Sequence, residues 1–131
     1  MIIQILKDTE KNLSLIVRGF ARSNFGPELI LDLEKVRAPR EGWKGVRLET
    51  TVWLIEEKMG LYLLWGDQIS EENLAIPMES RNSLRFDEGY PSPRVADGWG
   101  RKLYVSSFNF TKDNSSNQLR SFFLLIDLDK Q

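Results

Sequence analysis

Two-residue alternation of apolar and polar side chains dominates the chain, and the 3.6-residue spacing of an amphipathic helix is scarce. Leu13, Leu15 and Val17 alternate with Ser14, Ile16 and Arg18, and Leu29, Leu31 and Leu33 alternate with Ile30, Asp32 and Glu34. The clearest strand runs from Val46 to Ile55. Val46, Leu48, Thr50, Val52 and Leu54 share one face there, opposite Arg47, Glu49, Thr51, Trp53 and Ile55. This parity puts Trp53 on the charged side. Residues 56–60 break the pattern and 61–65 resume it, the layout of an antiparallel hairpin. Further strands are predicted at Ile2–Leu6, Leu74–Met78, Leu103–Thr111 and Leu119–Leu128, with a small one at Leu84–Phe86. The polar stretch 112–118 has strong turn chemistry, and one helical turn is predicted at Ser70–Asn73, capped by Ser70.

Eight or nine strands with frequent turn signals predict an all-β fold, an antiparallel β-sandwich with jelly-roll topology preferred. A closed β-barrel with a ligand cavity is the alternative. At 131 residues and 41% hydrophobic content the chain has the size and core material of one domain, read here as residues 1–131. The run Phe122-Phe123-Leu124-Leu125-Ile126 is apolar on both parities. It is either a central strand buried on both faces or one whose outer face meets another subunit.

Composition narrows the chemistry. With no Cys and no His, disulfides, thiolate nucleophiles, Cys/His zinc sites, imidazole acid/base catalysis and haem ligation are all excluded. Any chemistry must come from carboxylates, Lys, Tyr or Ser. Lys plus Arg (18) nearly cancels Asp plus Glu (19), so there is no basic excess for a phosphate backbone and no nucleic-acid partner is expected. No apolar window approaches the ~18 residues of a membrane helix. The opening Met-Ile-Ile-Gln-Ile-Leu-Lys-Asp has neither the basic lead nor the apolar length of a signal peptide. A cytoplasmic protein without membrane association is expected, and the N-x-Ser/Thr triplets at Asn12, Asn109 and Asn114 read as chance. No cofactor and no metal site are expected. Asp127-Leu128-Asp129 and Asp87-Glu88-Gly89 lack the alternating ligands of a calcium loop, and Gly98-Trp99-Gly100-Arg101-Lys102 has no helix after it to cradle phosphate.

Candidate binding residues gather in two loops. Pro39-Arg40-Glu41-Gly42-Trp43 and Pro93-Arg94-Val95-Ala96-Asp97-Gly98-Trp99 both end in acid-Gly-Trp, and both lead into a long strand. A loop Trp either plugs the open end of a sandwich or stacks against a ligand. In the second case Arg40, Glu41, Asp97 and Arg101 supply hydrogen bonds beside Trp43 and Trp99, with Tyr90 nearby in the long 79–101 segment. If the two strands run in the same sense, both loops emerge at one end of the fold. The expected function is a non-catalytic binding or protein-interaction domain whose partner is a protein or a small ligand such as a glycan. One alternative is a carboxylate-dependent enzyme acting on carbohydrate, with Glu41 and Asp97 as its acid pair. The other is a structural subunit of a homo-oligomer, a homodimer joined through Phe122–Ile126.

Overall fold

A computed structural model describes residues 1–36, 46–66, 69, 74–85, 102–110 and 119–130. The described residues form nine strands: β1 (Ile2–Asp8), β2 (Asn12–Ala21), β3 (Glu28–Asp32), β4 (Val46–Ile55), β5 (Gly60–Trp65), β6 (Leu74–Glu79), β7 (Arg81–Arg85), β8 (Lys102–Phe108) and β9 (Arg120–Lys130). They form two antiparallel sheets, one ordered β1-β2-β9-β4-β7 and the other β3-β8-β5-β6. The pairings nest: β2 with β9, β3 with β8, β4 with β7, and β5 with β6. Nested pairing of this kind is a long hairpin wrapped into two sheets, the jelly roll, here with β1 added beside β2. The closed barrel does not form. β1 and β7 end one sheet, and β3 and β6 end the other. Pro77 lies in β6, an edge strand, where its missing N–H breaks no ladder.

The core lies between the sheets. Leu13, Leu15 and Val17 of β2, Leu124, Ile126 and Leu128 of β9, Leu61 and Leu63 of β5, and Leu103 and Val105 of β8 have no exposed surface. Their alternation in sequence is the pleat made visible, since successive side chains on a strand face opposite ways. The final strand shows it most cleanly, with Phe122, Leu124, Ile126 and Leu128 buried and Phe123, Leu125 and Asp127 half-exposed.

Two strands depart from simple alternation, and each departure is a bulge. In β4, Leu48 pairs with Leu128 but Thr50 pairs with Asp127, so Glu49 is an extra residue. The inward parity therefore switches from Val46 and Leu48 to Thr51, Trp53 and Ile55. Trp53 is thus a core residue rather than one on the charged face, and Leu54 is exposed. The indole Nε1–H donates to the Glu79 carbonyl at 3.0 Å. In β3, Leu29 pairs with Tyr104 and Leu31 with Leu103, so Ile30 is inserted. Ile30 and Leu31 are both buried while Leu29 faces out, in place of the uniform Leu29/Leu31/Leu33 face. The strand ends at Asp32, whose carboxylate accepts from the Glu34 amide (3.1 Å) and caps a 3-10 turn over Leu33–Lys35.

The ends of the sandwich are held by polar ties. Lys130, its side chain 1% exposed, reaches back to the β1–β2 turn and donates to Asp8 Oδ1 (2.6 Å) and the Thr9 carbonyl (2.7 Å). At the other end Arg120 donates to the Lys58 carbonyl (3.0 Å) and lies over the Phe110 ring. Phe108 stacks on Tyr62 and also covers Gly60, where a Cβ would run into its ring. Phe122 covers Gly19 in the same way.

Candidate functional site

β4 ends at Ile55 and β5 starts at Gly60, so the 56–59 turn defines one end of the sandwich. β8 runs antiparallel to β5, with Leu103 opposite Trp65 and Phe108 opposite Gly60. β4 and β8 therefore run in the same sense, and both start at the end remote from that turn. The seven candidate residues Arg40, Glu41, Trp43, Tyr90, Asp97, Trp99 and Arg101 lie outside the described residues, as does the predicted turn at Ser70–Asn73.

The surface that the described residues do build is the outer face of the five-stranded sheet. Register fixes its rows. Across one row lie Ile2, Arg18, Phe123, Leu54 and Arg81, and across the next Gln4, Ile16, Leu125, Val52 and Ser83. Farther from the 56–59 turn the rows become polar: Ser14, Asp127, Thr50 and Arg85, then Asn12, Asp129 and Arg47. Ser14 Oγ donates to Asp127 Oδ1 at 2.6 Å, so that half is hydrogen-bonded within itself. The face is apolar near the turn and polar away from it.

In the apolar half, Phe20 is 70% exposed, Ile2 60% and Leu54 54%. A depression of about 510 Å³ opens among them, lined also by Met1, Arg18, Gly19, Ser121, Phe122 and Phe123. Large apolar side chains clustered this way on a sheet are unfavourable in water unless something covers them. Arg18 is exposed among these side chains and has no ion pair among the described residues. On the other side of β9, Ser121 Oγ donates to Glu56 Oε1 at 2.7 Å and holds that carboxylate at the rim of the patch. The edge strand β1 adds to the apolar surface. Ile3 and Ile5 have the inward parity of the sheet yet are 40% and 48% exposed, because the four-stranded sheet is one strand narrower.

A second depression, of about 560 Å³, is polar and lies around the 56–59 turn. Glu56, Glu57 and Glu79 line it with Lys58, Asn24 and Asn109. Among the described residues no three acids stand close enough together to hold a metal ion. No described helix is long and apolar enough to cross a membrane.

Reading the sequence alone misses Phe20, Ile2 and Leu54 as surface groups, while the alternation of β2 already placed Arg18 opposite the core face. One signal was legible, the double apolar parity of Phe122–Ile126 that marks the middle of this face. The Glu49 bulge hid Leu54, and only register brings Phe20 and Ile2 alongside it.

No protein-family model matches the chain, no curated protein matches it in sequence, and no solved structure matches it. The fold and the apolar face are therefore the ground on which a function is argued.

Proposed function

We propose that this jelly-roll sandwich is a non-catalytic protein-interaction domain that binds through the outer face of its five-stranded sheet. The observation that carries the reading is the row Ile2, Arg18, Phe123 and Leu54 with Phe20 beside it. These apolar groups contribute nothing to the core, and covering them would remove apolar area from water at about 25 cal/mol per Å². Arg18 within the row and Arg81 at its β7 end supply orientation, as charge at a contact surface does. The setting kept in this reading is the cytoplasm expected from the sequence, where a fold without Cys relies on its core alone.

The test is capture by a tagged chain from extracts of its natural source, comparing the native sequence with Phe20→Asp/Leu54→Asp. Both substitutions are at exposed sites, so the variant should fold. A partner retained by the native chain and lost by the variant is the expected result. Equal retention by both would remove the outer face from consideration and return attention to the segments that carry Trp43 and Trp99.

A further inference from the structure

We infer that the depression at the apolar end of the outer face binds one long-chain carboxylate, its acyl chain laid among Ile2, Phe20, Phe123 and Leu54 and its head on the Arg18 guanidinium. At about 510 Å³ the hollow falls within the ~300–1,000 Å³ of small-molecule sites. Register gives its long direction. Ile2 on β1 and Leu54 on β4 lie in one row, three strand spacings or about 14 Å apart, and mark its two ends.

The polar groups decide the ligand class. Among the described residues that line the hollow, Arg18 carries the only charged side chain and Ser121 the only hydroxyl. That hydroxyl already donates to Glu56 at 2.7 Å. A sugar or a nucleotide would leave most of its hydroxyl groups without partners against such a surface, each at a loss of binding. An acyl chain asks for polar contact at one end only. Arg18 has no ion pair among the described residues, and its forked guanidinium matches a carboxylate with two parallel hydrogen bonds. Glu56 stands at the rim beyond β4, so like charge keeps the head off that side and turns it toward β2. Arg81, the other arginine of the row, sits past Leu54 on β7 and does not line the hollow.

Isothermal titration calorimetry of the purified chain with dodecanoate, kept below its micellar concentration, tests the site. Dodecanoate should bind saturably at one per chain, and amide shifts in nuclear magnetic resonance spectra should centre on Arg18, Phe20 and Phe123. Arg18→Gln, a change at an exposed position, should weaken binding roughly tenfold or more. Dodecyltrimethylammonium, the same tail under a cationic head, should bind more weakly than dodecanoate by a similar factor. Absence of saturable binding overturns the inference, and so do equal binding of the two heads or amide shifts centred elsewhere. An Arg18→Gln chain that binds like the native one overturns it too, and loss on Arg81→Gln instead would show the head on the other arginine. The site does not rest on the protein-interaction reading. A chain that takes up dodecanoate yet captures no protein keeps the site and loses that reading, and the converse result does the reverse.

Discussion

The bulge at Glu49 makes a sharp prediction about two neighbouring residues. Plain alternation from Val46 puts Leu54 in the core and Trp53 outside; the register puts Trp53 inside, 5% exposed, and Leu54 outside at 54%. Trp53→Ala should then cost about 3–5 kcal/mol, the usual loss for a buried large aromatic. The Glu79 carbonyl, which accepts from the indole at 3.0 Å, also loses its partner, so the upper part of that range is expected. Leu54→Ala should change stability by no more than about 0.5 kcal/mol, as exposed sites do. For a chain of this length, between the two size classes for which slopes are known, 1 kcal/mol moves Tm by roughly 3–6 °C. Trp53→Ala should lower Tm by at least ~9 °C, and Leu54→Ala by ~3 °C at most. Thermal and urea unfolding followed by far-ultraviolet circular dichroism, at protein concentrations low enough to exclude association, measures both. If Leu54→Ala proves as damaging as Trp53→Ala, the bulge is misplaced and the outer apolar face loses one of its members.

Three further expectations follow from the core and its ties. Thr51 Oγ1 is buried without a hydrogen-bond partner among the described residues, so Thr51→Val, nearly the same shape, should stabilise by about 1 kcal/mol, read as a rise in the urea midpoint at unchanged slope. Gly60→Ala should destabilise by ~1–3 kcal/mol because the new methyl meets the Phe108 ring, and Gly60→Ala with Phe108→Leu should recover part of the loss. Lys130→Met removes the cation that ties β9 to Asp8. Asp8 is 26% exposed and can rehydrate, so the cost should fall to ~1–3 kcal/mol, below that of breaking a fully buried pair; equality with the native chain in unfolding titrations would show the tie to be inert.

The relation between sequence and fold differs from strand to strand for physical reasons. β2 and β9 are legible because each is a long run with an apolar residue at every second position, and that face packs on the core. β7 was visible only through Leu84, since its Arg81-Asn82-Ser83-Leu84-Arg85 sequence is that of a polar edge strand with little to bury. Bulges escape a reading of parity, because one inserted residue such as Glu49 or Ile30 reverses every face beyond it. The jelly-roll order itself follows from frequent turns and long strands only as a preference; nested pairing identifies it. For the site, β9 announced the outer face through its two apolar parities, but membership of that face is a property of register. Phe20 and Leu54 are 34 residues apart in sequence (54 − 20) and share the face only because β2 and β4 both flank β9. The acid-Gly-Trp segments were conspicuous in sequence because loop tryptophans stand out against turn residues, and they lie outside the described residues.

The central claim, that the outer face of the five-stranded sheet is a protein-contact surface, is met most directly by quantitative capture from extracts, with the native chain and Phe20→Asp/Leu54→Asp run side by side after both are shown to unfold at the same urea midpoint. The native chain should retain a partner that the variant loses. Equal retention by the two chains would contradict the account.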